Sequence, residues 1–187
     1  MIFGNESGMK DSASLSLPER SFVLLDTNVL IDSSKYPKEF SALYSELERL
    51  SIVPVIESTV RFEFLRGLQH IEAGELLLKA LCGPDAIVLV PDSDIFDRAL
   101  SIARIYMRAD NKSTSVPDTL IAAQMGKYAR DTHDMSEMFL ATQNHRDFPP
   151  VLFERVDDVL VTLTDGSIKT IGFYRFHKDR FDALSSI

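Results

Sequence analysis

This chain has a single cysteine, Cys82, among its 187 residues. No disulfide can form within the chain, so a small secreted framework held together by disulfides is excluded. A chain of this length can bury a hydrophobic core without such cross-links. No neighbour in the sequence marks the thiol as a nucleophile, and we expect Cys82 to be a small buried hydrophobic residue.

Long apolar runs are also missing. No segment approaches the roughly 18–20 apolar residues that a membrane-spanning helix needs. Residues 1–20 contain Ser, Gly and charges of both signs, without the basic start and apolar stretch of a signal peptide. We therefore predict a flexible leader at residues 1–20 and a cytoplasmic protein.

An excess of positive charge is absent as well. The chain has 20 Lys and Arg against 28 Asp and Glu, which gives a formal net charge of −8. Tight, sequence-blind binding of nucleic acid through a basic surface is therefore not expected. The net negative charge is compatible with an enzyme that holds a divalent metal with several carboxylates, because the metal then attracts phosphate.

Short apolar runs alternate with segments of helical periodicity through most of the chain. The runs lie at residues 22–25, 52–56, 86–90 and 137–142, and the helical patterns lie between them. This alternation predicts an α/β sandwich with a mainly parallel sheet. Pro54, inside the second run, predicts an edge strand or the start of a strand.

The end of the chain has a different pattern. Residues 159–164 and 168–176 flank Asp165-Gly166, a pair typical of a tight β-hairpin, and a short helix is predicted after them. We expect an antiparallel appendage of the same domain. The predicted parts are a leader at residues 1–20, a main domain at 21–156, and an appended hairpin and short helix at 157–187.

Four acidic residues are candidates for a metal site. Asp26 ends the first strand and Asp147 follows the fourth, and the carboxyl ends of parallel strands form a common crevice. Asp118 begins a helix above an apolar stripe, where an unpaired carboxylate costs free energy. Glu63 lies in a helix between two phenylalanines. Converging carboxylates are the hard oxygen ligands that Mg²⁺ prefers, and Mg²⁺ supports phosphodiester hydrolysis.

Each acidic residue also has a structural interpretation, and helix capping does not exclude metal binding. Asp32, which follows the segment Leu24–Ile31, is predicted to be an exposed helix residue. The structural alternatives are capping of a helix by Asp26, a capping box from Ser115 to Asp118, an ion pair of Glu63 with Arg66, and a simple turn at Asp147.

Four segments resemble, in order, the motifs of the PIN-domain family. They are Leu24-Leu-Asp-Thr-Asn-Val-Leu-Ile31, Phe62-Glu-Phe-Leu-Arg-Gly67, Pro117-Asp-Thr-Leu-Ile-Ala-Ala123 and Ala141-Thr-Gln-Asn-His-Arg-Asp-Phe148. The resemblance implies a three-layer α/β/α sandwich and a Mg²⁺- or Mn²⁺-dependent endoribonuclease that hydrolyses RNA by metal-activated water. Small bacterial members are often homodimeric toxins of toxin–antitoxin pairs, which implies an antitoxin protein and a second copy of the chain as partners.

The resemblance also implies roles for individual residues. The carboxylates implied to hold the metal and act in catalysis are Asp26, Glu63, Asp118 and Asp147. The residues implied to orient ligands or contact the substrate are Asn28, Asn144 and Arg146. Family members differ in whether the position of Asn144 or that of Asp147 faces the metal, so this choice stays open, as does the number of metals. The motifs do not explain the C-terminal hairpin.

Two other functions are compatible with these residues. A PIN fold can serve as a catalytically silent module that binds RNA or protein, and metal-dependent cleavage would separate the two. A strand that ends in Asp also begins phosphatases that use the Asp as a nucleophile. Those enzymes need a second Asp two residues later, where this chain has Asn28. A covalent adduct at Asp26 would identify the phosphatase.

Overall fold

The computed structural model describes residues 14–84, 86–110, 114–129 and 137–186. Residues 1–13 of the predicted leader lie outside these ranges. Within them, no helix is long and apolar enough to cross a membrane. The elements are β1 (Phe22–Leu25), α1 (Thr27–Lys35), α2 (Ser41–Arg49), β2 (Val53–Glu57), α3 (Ser58–Arg66), α4 (Ile71–Cys82), β3 (Ile87–Leu89), α5 (Ser93–Asp110), α6 (Val116–Tyr128), β4 (Met138–Thr142), β5 (Phe153–Thr162), β6 (Ile168–Phe176) and α7 (Lys178–Ser185).

The strands form one sheet in the order β3-β2-β1-β4-β6-β5. β1 pairs in parallel with β2 and β4, and β2 pairs in parallel with β3. β6 is antiparallel to both β4 and β5. The first strand of the chain therefore lies inside the sheet, and the predicted mainly parallel sheet is confirmed.

Helices cover the sheet in two groups. α1, α3 and α4 contact one another, whereas α5 contacts α6 and α7. This arrangement confirms the three-layer α/β/α sandwich, with fully buried rings such as Phe64, Phe139 and Phe173 in its core. Cys82 is buried in the same core, as predicted.

Pro54 lies at the start of β2, which is an interior strand. It pairs with Val23 of β1, but the pairing of β2 with β3 begins only at Val55. The proline therefore occupies a stretch where β2 has a neighbour on one side. Of the two predicted explanations, the strand start is correct and the edge strand is not.

The C-terminal hairpin continues the central sheet. Its turn has Gly166 at a φ of 81°, and the Leu163 N–H donates to the Ser167 carbonyl at 2.8 Å. β5 begins at Phe153, so it crosses the boundary that the sequence placed at residue 157. Because β6 pairs with β4, the hairpin lies directly beside a strand that ends at the candidate site.

Residues 14–20 pack against the domain, which corrects the prediction of a flexible leader for this stretch. Leu15 and Leu17 are each 5% exposed and belong to the hydrophobic core. Between them, the Ser16 N–H donates to Asp157 Oδ2 at 2.7 Å. In an extended chain, residues two apart point to the same side, so both leucines reach the core together.

Candidate active site

Three polar side chains at the carboxyl ends of β1 and β4 form what we call the strand-end group: Asp26, Asn28 and Thr142. Asp26 caps α1, and its Oδ1 accepts from the Thr27 N–H at 2.6 Å. Its Oδ2 accepts from Asn28 Nδ2 and from Thr142 Oγ1, both at 2.6 Å. The capping interpretation of Asp26 is therefore correct, and the same carboxylate still lies at the edge where the parallel strands end.

Burial raises the pKa of the Asp26 carboxyl above its usual value. The hydrogen bonds from Thr142, Thr27 and Asn28 oppose this rise, and the negative charge of Glu63 adds to it. Asp26 is only 7% exposed. The fold therefore holds a carboxylate in a place where an added positive charge would stabilise its ionised form.

The loop after β4 is attached to the strand-end group. Thr142 Oγ1 accepts from Asn28 Nδ2 at 3.2 Å and from the Asn144 N–H at 2.9 Å. Asn28 Oδ1 accepts from the Gln143 N–H at 3.0 Å. The side-chain amide of Asn144 donates to Asp147 Oδ2. The two asparagines thus orient acidic residues and backbone of the site.

Asp118 and Ser115 form what we call the helix-start group, at the beginning of α6. Ser115 is the N-cap: its Oγ accepts from the Asp118 N–H at 3.2 Å, and its hydroxyl donates to Asp118 Oδ2 at 2.5 Å. The predicted capping role is therefore present. The Asp118 carboxylate is only partly buried, which leaves it accessible to a ligand.

Glu63 reaches the site from α3. The Thr27 hydroxyl, next to Asp26, donates to Glu63 Oε2 at 2.7 Å. The predicted ion pair with Arg66 is not among the ion pairs of the described residues, and the Arg66 guanidinium lies 5.8 Å from the centre of the Phe62 ring instead. Glu63 therefore faces the start of α1 and not its own helical neighbour.

The four predicted carboxylates form one electrostatic cluster. Burial raises the pKa of Asp118 to about 6, and the charges of Asp147, Asp26 and Glu63 each add to the rise. Each of these three lies close enough to act on Asp118, although they come from different elements. Arg146 is exposed in the same loop as Asp147.

A divalent cation fits the chemistry of this cluster. Among the described residues, no three His, Cys, Asp or Glu side chains already converge as a metal-binding group. The carboxylates are instead held by neutral hydroxyl and amide donors. Oxygen ligands suit Mg²⁺ and Mn²⁺, and a bound cation would stabilise the ionised forms of Asp26 and Asp118, whose pKa values are raised mainly by burial.

A link between the site and the hairpin was not predicted from the sequence. Asp32 Oδ2 accepts from Gln143 Nε2 at 3.0 Å and lies 3.1 Å from Lys169 Nζ of β6. Its side chain is 13% exposed, so the prediction that Asp32 is an exposed helix residue is wrong. Asp32 follows Asn28 by one helical turn, and this spacing was the available signal for a shared face.

Glu57 is a second residue that the sequence analysis missed. It ends β2, is fully buried, and caps α3 by accepting from the Thr59 N–H at 2.5 Å. Ser58 Oγ also donates to it, at 2.9 Å. The pattern of strand, acidic residue and helix is the same as at Asp26, and it was visible in the sequence. The hydrogen-bonding capacity of its carboxylate is therefore met by donors at the start of α3.

Comparison with protein families agrees with this architecture. A sequence model of the PIN domain matches residues 23–146, which is more than half of the chain. The chain belongs to the PIN domain family, whose members are generally nucleases, and this confirms the family predicted from the four motifs. No curated protein sequence gives a significant match.

Proposed function

We propose that this protein is an endoribonuclease that hydrolyses RNA phosphodiester bonds with Mg²⁺ or Mn²⁺. Asp26, Glu63, Asp118 and Asp147 would hold the metal. The main support is the electrostatic influence of Asp147, Asp26 and Glu63 on the carboxyl of Asp118. An uncompensated cluster of this kind costs stability unless a cation or a positively charged ligand meets it.

The residues of the site would have different roles in the reaction. A divalent cation bound there would neutralise charge on the scissile phosphate and activate the attacking water. Thr142 and Asn28 hold the Asp26 carboxylate in one orientation, and Asn144 does the same for Asp147. Ser115 holds the Asp118 carboxylate in the same way through its hydroxyl.

Arg146 would assist at the periphery of the site. It lies in the loop that also presents Asn144 and Asp147, and it is exposed to solvent. A guanidinium presents several donors that match the geometry of phosphate oxygens. Arg146 would therefore contact a phosphate of the RNA strand near the scissile bond.

The biological setting that we propose is that of a cytoplasmic toxin of a toxin–antitoxin pair, acting as a homodimer. The support is the resemblance of the motifs to those of small PIN-domain toxins. An antitoxin protein would then cover the acidic edge. Induced expression of the wild type should arrest bacterial growth, whereas Asp26→Asn should not. An active nuclease that leaves growth unchanged would indicate a processing enzyme instead.

The first test is cleavage of a mixed RNA pool with Mg²⁺, with Mn²⁺ and with EDTA. Asp26→Asn keeps the shape of the side chain and removes its charge, and we expect a loss of about 10²–10³-fold in rate. Asp97→Asn is the matched control, because Asp97 is exposed on α5. Equal cleavage by wild type and Asp26→Asn would exclude Asp26 from the reaction and point to a contaminating nuclease.

The same preparation separates the alternative functions. A protein that binds RNA but does not cleave it with either metal would be a catalytically silent module. An Asp-nucleophile phosphatase would release phosphate from a monoester and form a trappable aspartyl adduct at Asp26. Neither result is expected for a metal-dependent ribonuclease.

A further inference from the structure

A pocket of about 470 Å³ opens between the loop after β4 and the C-terminal hairpin. Its floor consists of the rings of Phe148, Phe153 and Tyr174. The rings of Phe148 and Phe153 pack edge to face with centroids 5.3 Å apart. A cavity of this size with an apolar floor falls within the range of small-ligand sites.

Polar and cationic groups line the rest of this pocket. Arg155 and Arg180 contribute two guanidinium groups, and Glu154 contributes a carboxylate. One nitrogen of Arg180 donates to the Pro150 carbonyl at 2.8 Å, which uses one of the five N–H donors of its guanidinium. Arg155 pairs with Asp158 at 3.5 Å. On a protein with a net charge of −8, a pocket lined by two guanidinium groups favours an anionic ligand.

One wall of the pocket depends on a glycine. The Tyr174 hydroxyl lies 2.8 Å from His145 Nδ1, and both rings lie over the backbone of Gly172. A Cβ at position 172 would come within 2.7 Å of Tyr174 Cε2 and 3.1 Å of His145 Cε1. The absence of a side chain at Gly172 therefore permits this pair of rings, which are inclined by 39°. Tyr174 is only 5% exposed, so the partly exposed His145 is the ring of the pair that a ligand can contact.

The pocket adjoins the acidic cluster through a shared loop. Asn144 and Asp147 of this loop belong to the cluster, since Asn144 binds Thr142 and Asp147 acts on Asp118. His145 and Phe148, each the next residue along, line the pocket. The same short loop therefore contributes side chains to both the acidic cluster and the pocket.

We propose that this pocket binds one nucleotide of a single-stranded RNA substrate beside the cleaved bond, and this proposal rests on the ribonuclease function. The base would lie against the ring of His145, which the Tyr174 hydroxyl contacts at Nδ1, because base–aromatic stacking tolerates any sequence. The phosphate would be bound by Arg180 and Arg155, whose planar groups match phosphate oxygens. A nucleotide combines the flat ring and the anion that the two parts of this pocket select.

The first measurement is the affinity for a fluorescently labelled single-stranded RNA of mixed sequence, in the full chain with Mg²⁺. Asp26→Asn serves as the background, so that the RNA is not cleaved. In this background, Arg180→Gln should weaken binding about tenfold and reduce the salt dependence by about one phosphate contact. Arg49→Gln is the matched control, because Arg49 is exposed on α2 and pairs with Glu46 of the same helix.

The second measurement does not depend on affinity. RNA that contains 4-thiouridine is crosslinked to the same protein, and the modified peptides are identified by mass spectrometry. We expect crosslinks on His145, Tyr174 or His177, and Gly172→Ala should reduce them by displacing the pair of rings. Crosslinks confined to other regions would overturn the proposal and leave the pocket to another anion, such as an acidic peptide.

The outcomes for the pocket and for the ribonuclease function are distinguishable. If wild type cleaves RNA and Arg180→Gln binds as tightly as Arg49→Gln, the pocket proposal is wrong and the ribonuclease function stands. If no variant cleaves RNA but the pocket crosslinks to it, the pocket stands as an RNA-binding site and the nuclease activity does not. If RNA neither binds nor is cleaved, both are wrong.

Discussion

The strand-end group and the helix-start group each bring an aspartate to the same acidic edge, but with different support. Asp26 is 7% exposed and accepts three hydrogen bonds, from Thr27, Asn28 and Thr142. Asp118 is only partly buried, and its carboxylate is held by the Ser115 hydroxyl. The Asp26 carboxylate is fixed by donors at the ends of β1 and β4. The Asp118 carboxylate is held by Ser115, the N-cap of its own helix.

This difference indicates how the site is prepared for a cation. The donors around Asp26 offset part of the cost of burying its charge, so its position is set before any ligand arrives. Burial raises the pKa of Asp118 to about 6, and the charges of Asp147, Asp26 and Glu63 add to the rise. We therefore expect the strand-end group to determine local stability and the helix-start group to respond to pH and metal.

The largest effect is expected at Thr142. Thr142→Val keeps the shape of the side chain but removes a donor to Asp26 and an acceptor for Asn28 and Asn144. Because Thr142 is fully buried, we expect a loss of about 2–3 kcal/mol in the free energy of unfolding, measured by urea titration.

Thr162→Val is the matched control for this change, since Thr162 is an exposed residue of β5. It should alter the free energy of unfolding by less than about 0.5 kcal/mol. Equal effects of the two substitutions would show that the hydrogen bonds of the strand-end group add little stability, and the contrast with the helix-start group would then disappear.

The second prediction concerns Asp118, whose substitution should stabilise the protein, whereas Thr142→Val should destabilise it. A carboxyl whose pKa is raised in the folded state stabilises the fold below its ordinary value of 3.8, and this contribution is lost as the pH rises through about 6. In EDTA, Asp118→Asn should therefore become more stable than wild type by about 1 kcal/mol at pH 7, and by little at pH 4, after allowance for partial exposure. Thermal or urea unfolding across this pH range measures the difference.

Asp92 is the control with the reverse shift. The hydrogen bond from Lys127, together with that from the Ile95 N–H, lowers the pKa of Asp92. Its contribution is present above the ordinary carboxyl pKa and lost as the pH falls, so Asp92→Asn should destabilise the protein at pH 7. If Asp118→Asn also destabilised the protein at pH 7, the proposed electrostatic cost at the helix-start group would be contradicted.

The smallest effect is expected at the link between the hairpin and the strand-end group. The Lys169 side chain is 37% exposed, so solvent screens its ion pair with Asp32. A double-mutant cycle of Asp32→Asn and Lys169→Gln should give a coupling of about 0.5 kcal/mol in the free energy of unfolding. A coupling as large as the Thr142→Val effect would make the hairpin, and not the strand ends, the main support of the site.

Much of the fold could be predicted because its signals are local. Apolar runs of strand length alternate with helical periodicity, and the Asp165-Gly166 pair marks the hairpin turn. The features of the fold that could not be predicted also have a physical reason. The packing of Leu15 and Leu17, the start of β5 at Phe153 and the pairing of β6 with β4 all depend on distant partners that local patterns do not specify.

The candidate site also has a part that could be predicted from the sequence and a part that could not. Asp26, Glu63, Asp118 and Asp147 were selected from their motifs, and they lie in one electrostatic cluster. The donors that hold them were harder to predict, because Thr142 and Gln143 reach Asp26 and Asp32 only through the pairing of β1 with β4. The closeness of Lys169 to Asp32 depends further on the position of the hairpin.

The amino-acid sequence by itself determined the family, the succession of strands and helices along the chain, and the choice of the four candidate acidic residues. These follow from periodicity and from motifs whose residues are neighbours in the chain. Only the tertiary structure decided which donors hold each carboxylate, how far each pKa moves, and that a pocket with an aromatic floor lies beside the acidic cluster. These depend on burial and on contacts between distant segments, which exist only once the sheet has formed.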